Sequence, residues 1–134
     1  MSDGDRFIDT NVLLYLFSGE EAKSDRAERE LAAGGVVSIQ VLNEFGSIAL
    51  RKLGFSFLEI REVLATIRAV CGVEPMTATT HDLGLQVAER YSISVYDAMI
   101  VASALLADCK ILLSEDLQDR QVFEGMLEVR NPFR

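Results

Sequence analysis

A chain of 134 residues, 49% of them hydrophobic, has the length of one domain and enough apolar side chains to build a core, which excludes a disordered polypeptide. Its net charge of −8 excludes a protein that coats nucleic acid through surplus Lys and Arg; any contact with phosphates must be local and offset by another cation. Cys71 and Cys109 are far apart and His81 is the single histidine, which excludes a Cys/His zinc site and a histidine-based triad.

No run is long and apolar enough to cross a membrane, and residues 1–10 lack a basic head followed by an apolar stretch. The cysteines read as small buried hydrophobes, and a reducing cytoplasm is the expected compartment. Residues 1–5 are expected to be a frayed start. Arg6-Phe7-Ile8-Asp9 then predicts a short strand, followed by an apolar helical start over 12–17. A helix is expected over 24–33, stopped by Gly34-Gly35, and a second strand over 36–38. Val41, Phe45, Ile48 and Ala49 recur at helical spacing in a helix over 39–53, ended by Gly54.

Ser56 and Glu59 form a capping box for the next helix, with Leu58, Val63, Leu64, Ile67 and Val70 on its apolar side. Residues 73–76 predict a third strand, placed at an edge by Pro75. Thr79 and Asp82 are expected to open a helix reaching Tyr91, and Ser94 with Asp97 a helix reaching Ala107. Residues 110–113 predict a fourth strand and 127–129 a fifth. Strands separated by helices predict a single α/β domain over 1–134, with a mainly parallel sheet and helices on both faces.

In such sheets ligands bind beyond the carboxyl ends of the strands. Asp9 ends the first strand, and Asp116 follows the fourth. Glu44 lies about one and a half turns into the helix leaving the second strand. Asp97 opens a helix that runs antiparallel to the fourth strand, so it falls at the same edge. Each has a plainer alternative. Asp9 and Asp97 suit helix caps, Glu44 a solvated helix flank, and Asp116 an ordinary turn. Jointly placed, four carboxylates call for Mg²⁺ or Mn²⁺, hard cations that bind through a few carboxylates, water and substrate phosphate oxygens. Crowded like charges also predict at least one carboxyl raised above its ordinary pKa.

The chain resembles a PIN-domain ribonuclease of the VapC toxin type over essentially its full length. The resemblance rests on Phe7-Ile8-Asp9-Thr10-Asn11-Val12-Leu13, Gln40-Val41-Leu42-Asn43-Glu44-Phe45, Val95-Tyr96-Asp97-Ala98-Met99-Ile100-Val101-Ala102 and Leu113-Ser114-Glu115-Asp116-Leu117-Gln118-Asp119. It implies a PIN-like fold whose five-stranded sheet has the order 3-2-1-4-5. It implies a metal-dependent endoribonuclease, the toxin of a toxin–antitoxin pair, with Asp9, Glu44, Asp97 and Asp116 catalytic. Asp9, Asp97 and Asp116 would hold Mg²⁺ or Mn²⁺, with Thr10, Asn11, Ser114 and Asp119 in support. An antitoxin would present a basic side chain beside Asp9, and the apolar Phe55, Phe57 and Leu58 would serve a homodimer. Arg120 stands where the family pattern leads to glycine, so a left-handed turn there is expected to be strained.

Arg51, Lys52 and Arg120 are the candidate RNA contacts, although cations ending a helix also suit its dipole. Tyr15, Phe17 and Tyr96 can stack on bases or belong to the core. His81 is expected at the surface. Two other functions compete. A phosphoacceptor or phosphatase domain would use Asp9 as nucleophile, but the dehalogenase pattern wants Asp where Asn11 stands, and Lys110 precedes its strand where a receiver wants Lys after it. The other is a catalytically inactive PIN-like interaction module.

Overall fold

Five strands run parallel and a sixth closes one edge in a hairpin. The computed structural model describes residues 3–134. In the sheet, β1 (Arg6–Ile8) lies between β2 (Gly35–Ser38) and β4 (Ile111–Leu113), and pairs in parallel with both. Outside them lie β3 (Cys71–Glu74) beside β2 and β6 (Leu127–Arg130) beside β4, again parallel. The two-residue β5 (Val122–Phe123) pairs antiparallel with β6, giving the order β3-β2-β1-β4-β6-β5. The expected fifth strand is therefore β6. The added strand arises because Val129 N donates to Gln121 O at 2.8 Å and Arg120 N to Val129 O at 2.8 Å, ahead of the tight turn at Glu124 and Gly125, both at positive φ.

Residues 1 and 2 of the expected frayed start lie outside the described residues. Asp3–Asp5 form a turn of 3₁₀ helix, and the Asp5 carbonyl accepts a 2.8 Å bond from Lys110 N, so this end is tied to the sheet. Helix α1 (Thr10–Leu14) passes into a 3₁₀ turn, Tyr15–Phe17. Helix α2 (Glu21–Ala32) starts earlier than its apolar pattern, because its first turns are polar and mostly exposed. Gly34, at φ 81°, ends it as expected.

Helices α3 (Ile39–Lys52) and α4 (Phe57–Val70) follow, and the Ser56–Glu59 capping box of α4 is complete. Strand β3 begins at Cys71 and stops before Pro75, which cannot donate to a ladder. Helix α5 (Ala78–Tyr91) is capped by Thr77 and Thr80 rather than by Thr79 and Asp82; Thr80 is buried and its Oγ1 accepts from Thr77 N at 3.1 Å. Helix α6 (Val95–Leu106) is capped by Ser94, whose Oγ accepts from Asp97 N at 3.1 Å.

The core centres on Phe7, Ile8, Val37, Leu112 and Val129 of the sheet, with Val41, Phe45 and Ala49 of α3. Helices flank both faces of the sheet. Helices α1 to α4 pack on one another, and α5 and α6 form a tight pair of their own. Residues 98–104 of α6 are buried without a break, and four of the seven are Ala or Ser, which lets the helix sit close to its neighbours. The α5 side of that contact is Gly84, where an added Cβ would meet Met99 Sδ at 2.4 Å. Cys71 and Cys109 are buried, and burial foremost pushes the Cys109 thiol up to about 12. Among the described residues no helix is long and apolar enough to cross a membrane.

Candidate active site

The chain reverses its order of construction between β1 and β4, and that boundary opens a crevice at their carboxyl ends. Asp9 leaves β1 as the cap of α1, with its backbone N bonded to Leu113 O of β4 at 3.0 Å. Glu44 projects from α3, Asp97 from the first turn of α6, and Asp116 from the loop after β4. All four carboxylates line one cleft of about 100 Å³, with Thr10, Asn11, Leu14, Ile48, Tyr96 and Ile100. No Lys, Arg or His belongs to that lining.

Asp9 is the buried member, 5% exposed. Its Oδ1 accepts from Thr10 N at 2.7 Å, and its Oδ2 from Ser114 Oγ at 2.9 Å and Asn11 Nδ2 at 3.2 Å. Burial dominates its protonation, raising its pKa from 3.8 to about 6. The bonds from Ser114 and Thr10 oppose the rise, and the charges of Asp116 and Glu44 add smaller increments. One carboxyl is therefore raised, as crowding predicts, but desolvation is the main cause rather than repulsion.

Ser114 is wholly buried, and its Oγ also accepts from Asp116 N at 3.2 Å, shaping the loop that carries Asp116. Asn11 spans the crevice, with its Oδ1 accepting from Glu115 N at 3.0 Å. Thr10 Oγ1 is buried in the wall with no hydrogen-bond partner among the described residues. The sequence had not singled out Gln40. Its Nε2 donates to Glu44 Oε1 at 2.7 Å and to Tyr96 O at 3.1 Å, so it fixes Glu44 and ties α3 to the turn bearing Asp97. Its spacing of four residues before Glu44 on one helix was the available signal.

Other candidates fall elsewhere. Asp119 does not line the cleft; its Oδ1 accepts from Asn131 N at 2.8 Å, which turns it towards the C-terminal segment. Arg120 takes the left-handed conformation at φ 73° without being glycine, held by its N bonding Val129 O at 2.8 Å. Arg51 and Lys52 are exposed at the far end of α3, outside the cleft lining. His81 is exposed. Tyr96 is 76% exposed at the cleft mouth. Phe17 packs on Phe45 and Phe55, and Tyr15 donates to Glu115 at 2.5 Å. Phe55 is thus partly packed inward, whereas Phe57 and Leu58 are each 62% exposed.

The donor chemistry suits a hard divalent cation: carboxylate oxygens, an unpartnered buried hydroxyl, and no basic side chain in the lining. Among the described residues no group of three or more His, Cys, Asp or Glu side chains is gathered tightly enough to hold a metal by itself. A cation that keeps much of its water and bridges to substrate oxygens does not need such a cage.

Comparison with curated protein sequences gave no match. Among solved structures, a toxin–antitoxin complex from Klebsiella pneumoniae is 20% identical and superposes with a TM-score of 0.72, covering 95% of this chain and 97% of that one. Mycobacterium tuberculosis VapC20, a sarcin-ricin loop cleaving toxin, is 25% identical with a TM-score of 0.62, over 83% of this chain and 91% of that one. VapBC2 from Rickettsia felis, bound to a fragment of its promoter DNA, is 13% identical with a TM-score of 0.65, over 94% and 98%. The sequence signature described as PIN domain matches residues 6–122, so this chain belongs to the PIN domain family.

Proposed function

We propose that this protein is a Mg²⁺- or Mn²⁺-dependent endoribonuclease, the toxin of a toxin–antitoxin pair of the VapC type. The observation that carries the proposal is the single cleft lined by Asp9, Glu44, Asp97 and Asp116 without a basic side chain. Similarity to the toxin–antitoxin complex of Klebsiella pneumoniae and to VapC20, a sarcin-ricin loop cleaving toxin by its description, supports the toxin reading and the partner.

Asp9, Asp97 and Asp116 would hold the cation. When bound, it would neutralise charge at the phosphodiester and make an attacking water more acidic than bulk water. The chain's own groups do the rest. Ser114 and Asn11 keep the Asp9 carboxylate aimed into the cleft. Glu44, oriented by Gln40, stands at the cleft wall where it can accept the proton of an attacking water. Tyr96, exposed beside Asp97, offers a ring face to a base next to the scissile phosphate. Attack by water with departure of the 3′ oxygen leaves a 5′-phosphate and a 3′-hydroxyl.

A phosphoacceptor role for Asp9 is disfavoured by its contacts. Both oxygens are engaged by Thr10, Asn11 and Ser114, and no Lys lines the cleft to steady a phosphoryl group. The antitoxin would insert Arg or Lys beside Asp9, where the cleft has only negative charge of its own. A homodimer would use the exposed Phe57 and Leu58.

The test is cleavage of a generic RNA with Mg²⁺, with Mn²⁺ and with chelator. Asp97→Asn is expected to keep the fold and lower the rate by about 100-fold or more. Full activity of that variant, or of the wild type in excess chelator, overturns the mechanism.

A further inference from the structure

Away from the acid cleft, Arg6, Arg26, Arg120, Arg130 and Arg134 line one groove of about 410 Å³ beside α2, with Ile111 and Leu113 of β4 also in its wall. They are five of the 13 basic residues in a chain of net charge −8, so the groove gathers a large share of the positive charge on an otherwise acidic molecule. Their acid partners are too few. Arg6 and Arg26 share Glu30, and Arg120 and Arg130 share Glu128. Asp119, the other acid of the wall, commits an oxygen to Asn131 N.

The five arginines do not have one role. Arg6 is enclosed, donating to Gly34 O at 2.6 Å and pairing with Glu30, so it buttresses the wall. Arg26, Arg120 and Arg130 have side chains 45%, 74% and 47% exposed, with carboxylate contacts of 3.3, 3.8 and 3.0 Å. Exposed pairs of this kind contribute little, so these guanidiniums can exchange partners at small cost. Their planar forks match phosphate oxygens.

The groove adjoins the cleft along two routes. Asp116 lines the cleft and also a shallow depression with Tyr15 and Glu115. The Tyr15 ring lies 4.6 Å from that of Phe133, whose neighbours Pro132 and Arg134 line the groove. Along the loop, Asp116 is at most about 11 Å of extended chain from Asp119 in the groove wall.

We infer that this groove carries the phosphate backbone of single-stranded RNA as it leaves the acid cleft, and this rests on the proposal that the cleft cleaves RNA. A single strand can bend from the strand ends to the flank of the sheet past the Tyr15–Phe133 step, where Lys23 Nζ lies over both rings, 4.5 and 5.8 Å from their centroids, and adds a cation to the route. The groove also answers the charge problem set by the sequence: the molecule is acidic overall, but the groove beyond the acid cleft offers exposed guanidiniums to phosphates.

The experiment measures binding of a fluorescent RNA of about 20 nucleotides in chelator, where no cleavage contributes, across a salt series. Arg26→Gln/Arg120→Gln/Arg130→Gln is expected to melt like the wild type and to bind about tenfold or more weakly. Its dependence of log K on log salt should fall by about 2, the loss of three single-strand phosphate contacts. The corresponding triple Lys variant should regain most of the binding, and Arg61→Gln/Arg68→Gln, which removes two positive charges on α4 away from the groove, should change little. Equal affinity and salt slope in wild type and triple Gln variant overturn the groove, whether or not the protein cleaves RNA. Lost binding in the variant, beside a wild type inert with every cation, upholds the groove and removes the nuclease. A groove that captures polyglutamate while leaving RNA affinity untouched belongs to an acidic protein segment, which overturns the RNA assignment.

Discussion

Asp9 shows how much one side chain's surroundings decide. The folded carboxyl gives up its proton near pH 6, whereas the unfolded one does so near 3.8. Between those values the folded state holds more protons, so the contribution of this group to stability falls as pH rises. That contribution is fully present below about pH 4 and lost by about pH 7, on the order of 3 kcal/mol in all. In chelator, urea unfolding of wild type and Asp9→Asn across this range should therefore diverge, with the wild type losing about 3 kcal/mol relative to the variant. A constant difference between the two proteins would show that Asp9 does not titrate in this way. The residue types at the cleft were legible in the sequence because strand ends and helix starts fix where side chains emerge. Gln40 and the turning away of Asp119 were not, because both depend on hydrogen bonds across elements that no local pattern encodes.

At the scale of elements, the pair α5–α6 sets the position of Asp97. Gly84 lets the two helices approach, and any side chain there runs into Met99, which is itself 6% exposed. Gly84→Ala can be absorbed, since the contact is the flexible end of a methionine and alanine favours the helix. Gly84→Val should cost about 1–3 kcal/mol through overpacking and should lower the proposed RNA cleavage as α6 shifts. Thermal melts and RNA cleavage by both variants check this; a Val variant as stable and active as wild type would mean that the helix contact does not position the site. Periodicity revealed all the longer helices and the parallel strands. It misplaced the start of α5, where two threonines made a cap in place of the expected Thr79 and Asp82. It also missed β5, because two residues are too short to carry a period. The left-handed Arg120 stands in that same region, where hairpin geometry overrides the residue's own preference.

For the whole molecule, association is the open variable. Phe57 and Leu58 stand out at the start of α4, and Leu50 and Leu53 are exposed at the end of α3 just before it. Exposed apolar side chains at neighbouring helix ends are the basis on which the proposed dimer is tested. Light scattering at tens of micromolar is expected to give a dimer for the wild type and a monomer for Phe57→Asp/Leu58→Asp. A wild-type monomer removes the dimer proposal.

The two borders of the sheet bear on how such copies can meet. On one side the sheet ends in β5, two residues long and turned back on β6; on the other it ends in β3, four residues stopped by Pro75. Neither border presents the long, flat row of unpaired amides and carbonyls on which a second chain could zip. Misassembly by strand addition, the hazard of a half-made parallel sheet, is thereby blunted at both ends, and growth into fibrils loses its template. Contact between copies is left to helix surfaces, where side chains rather than backbone choose the partner.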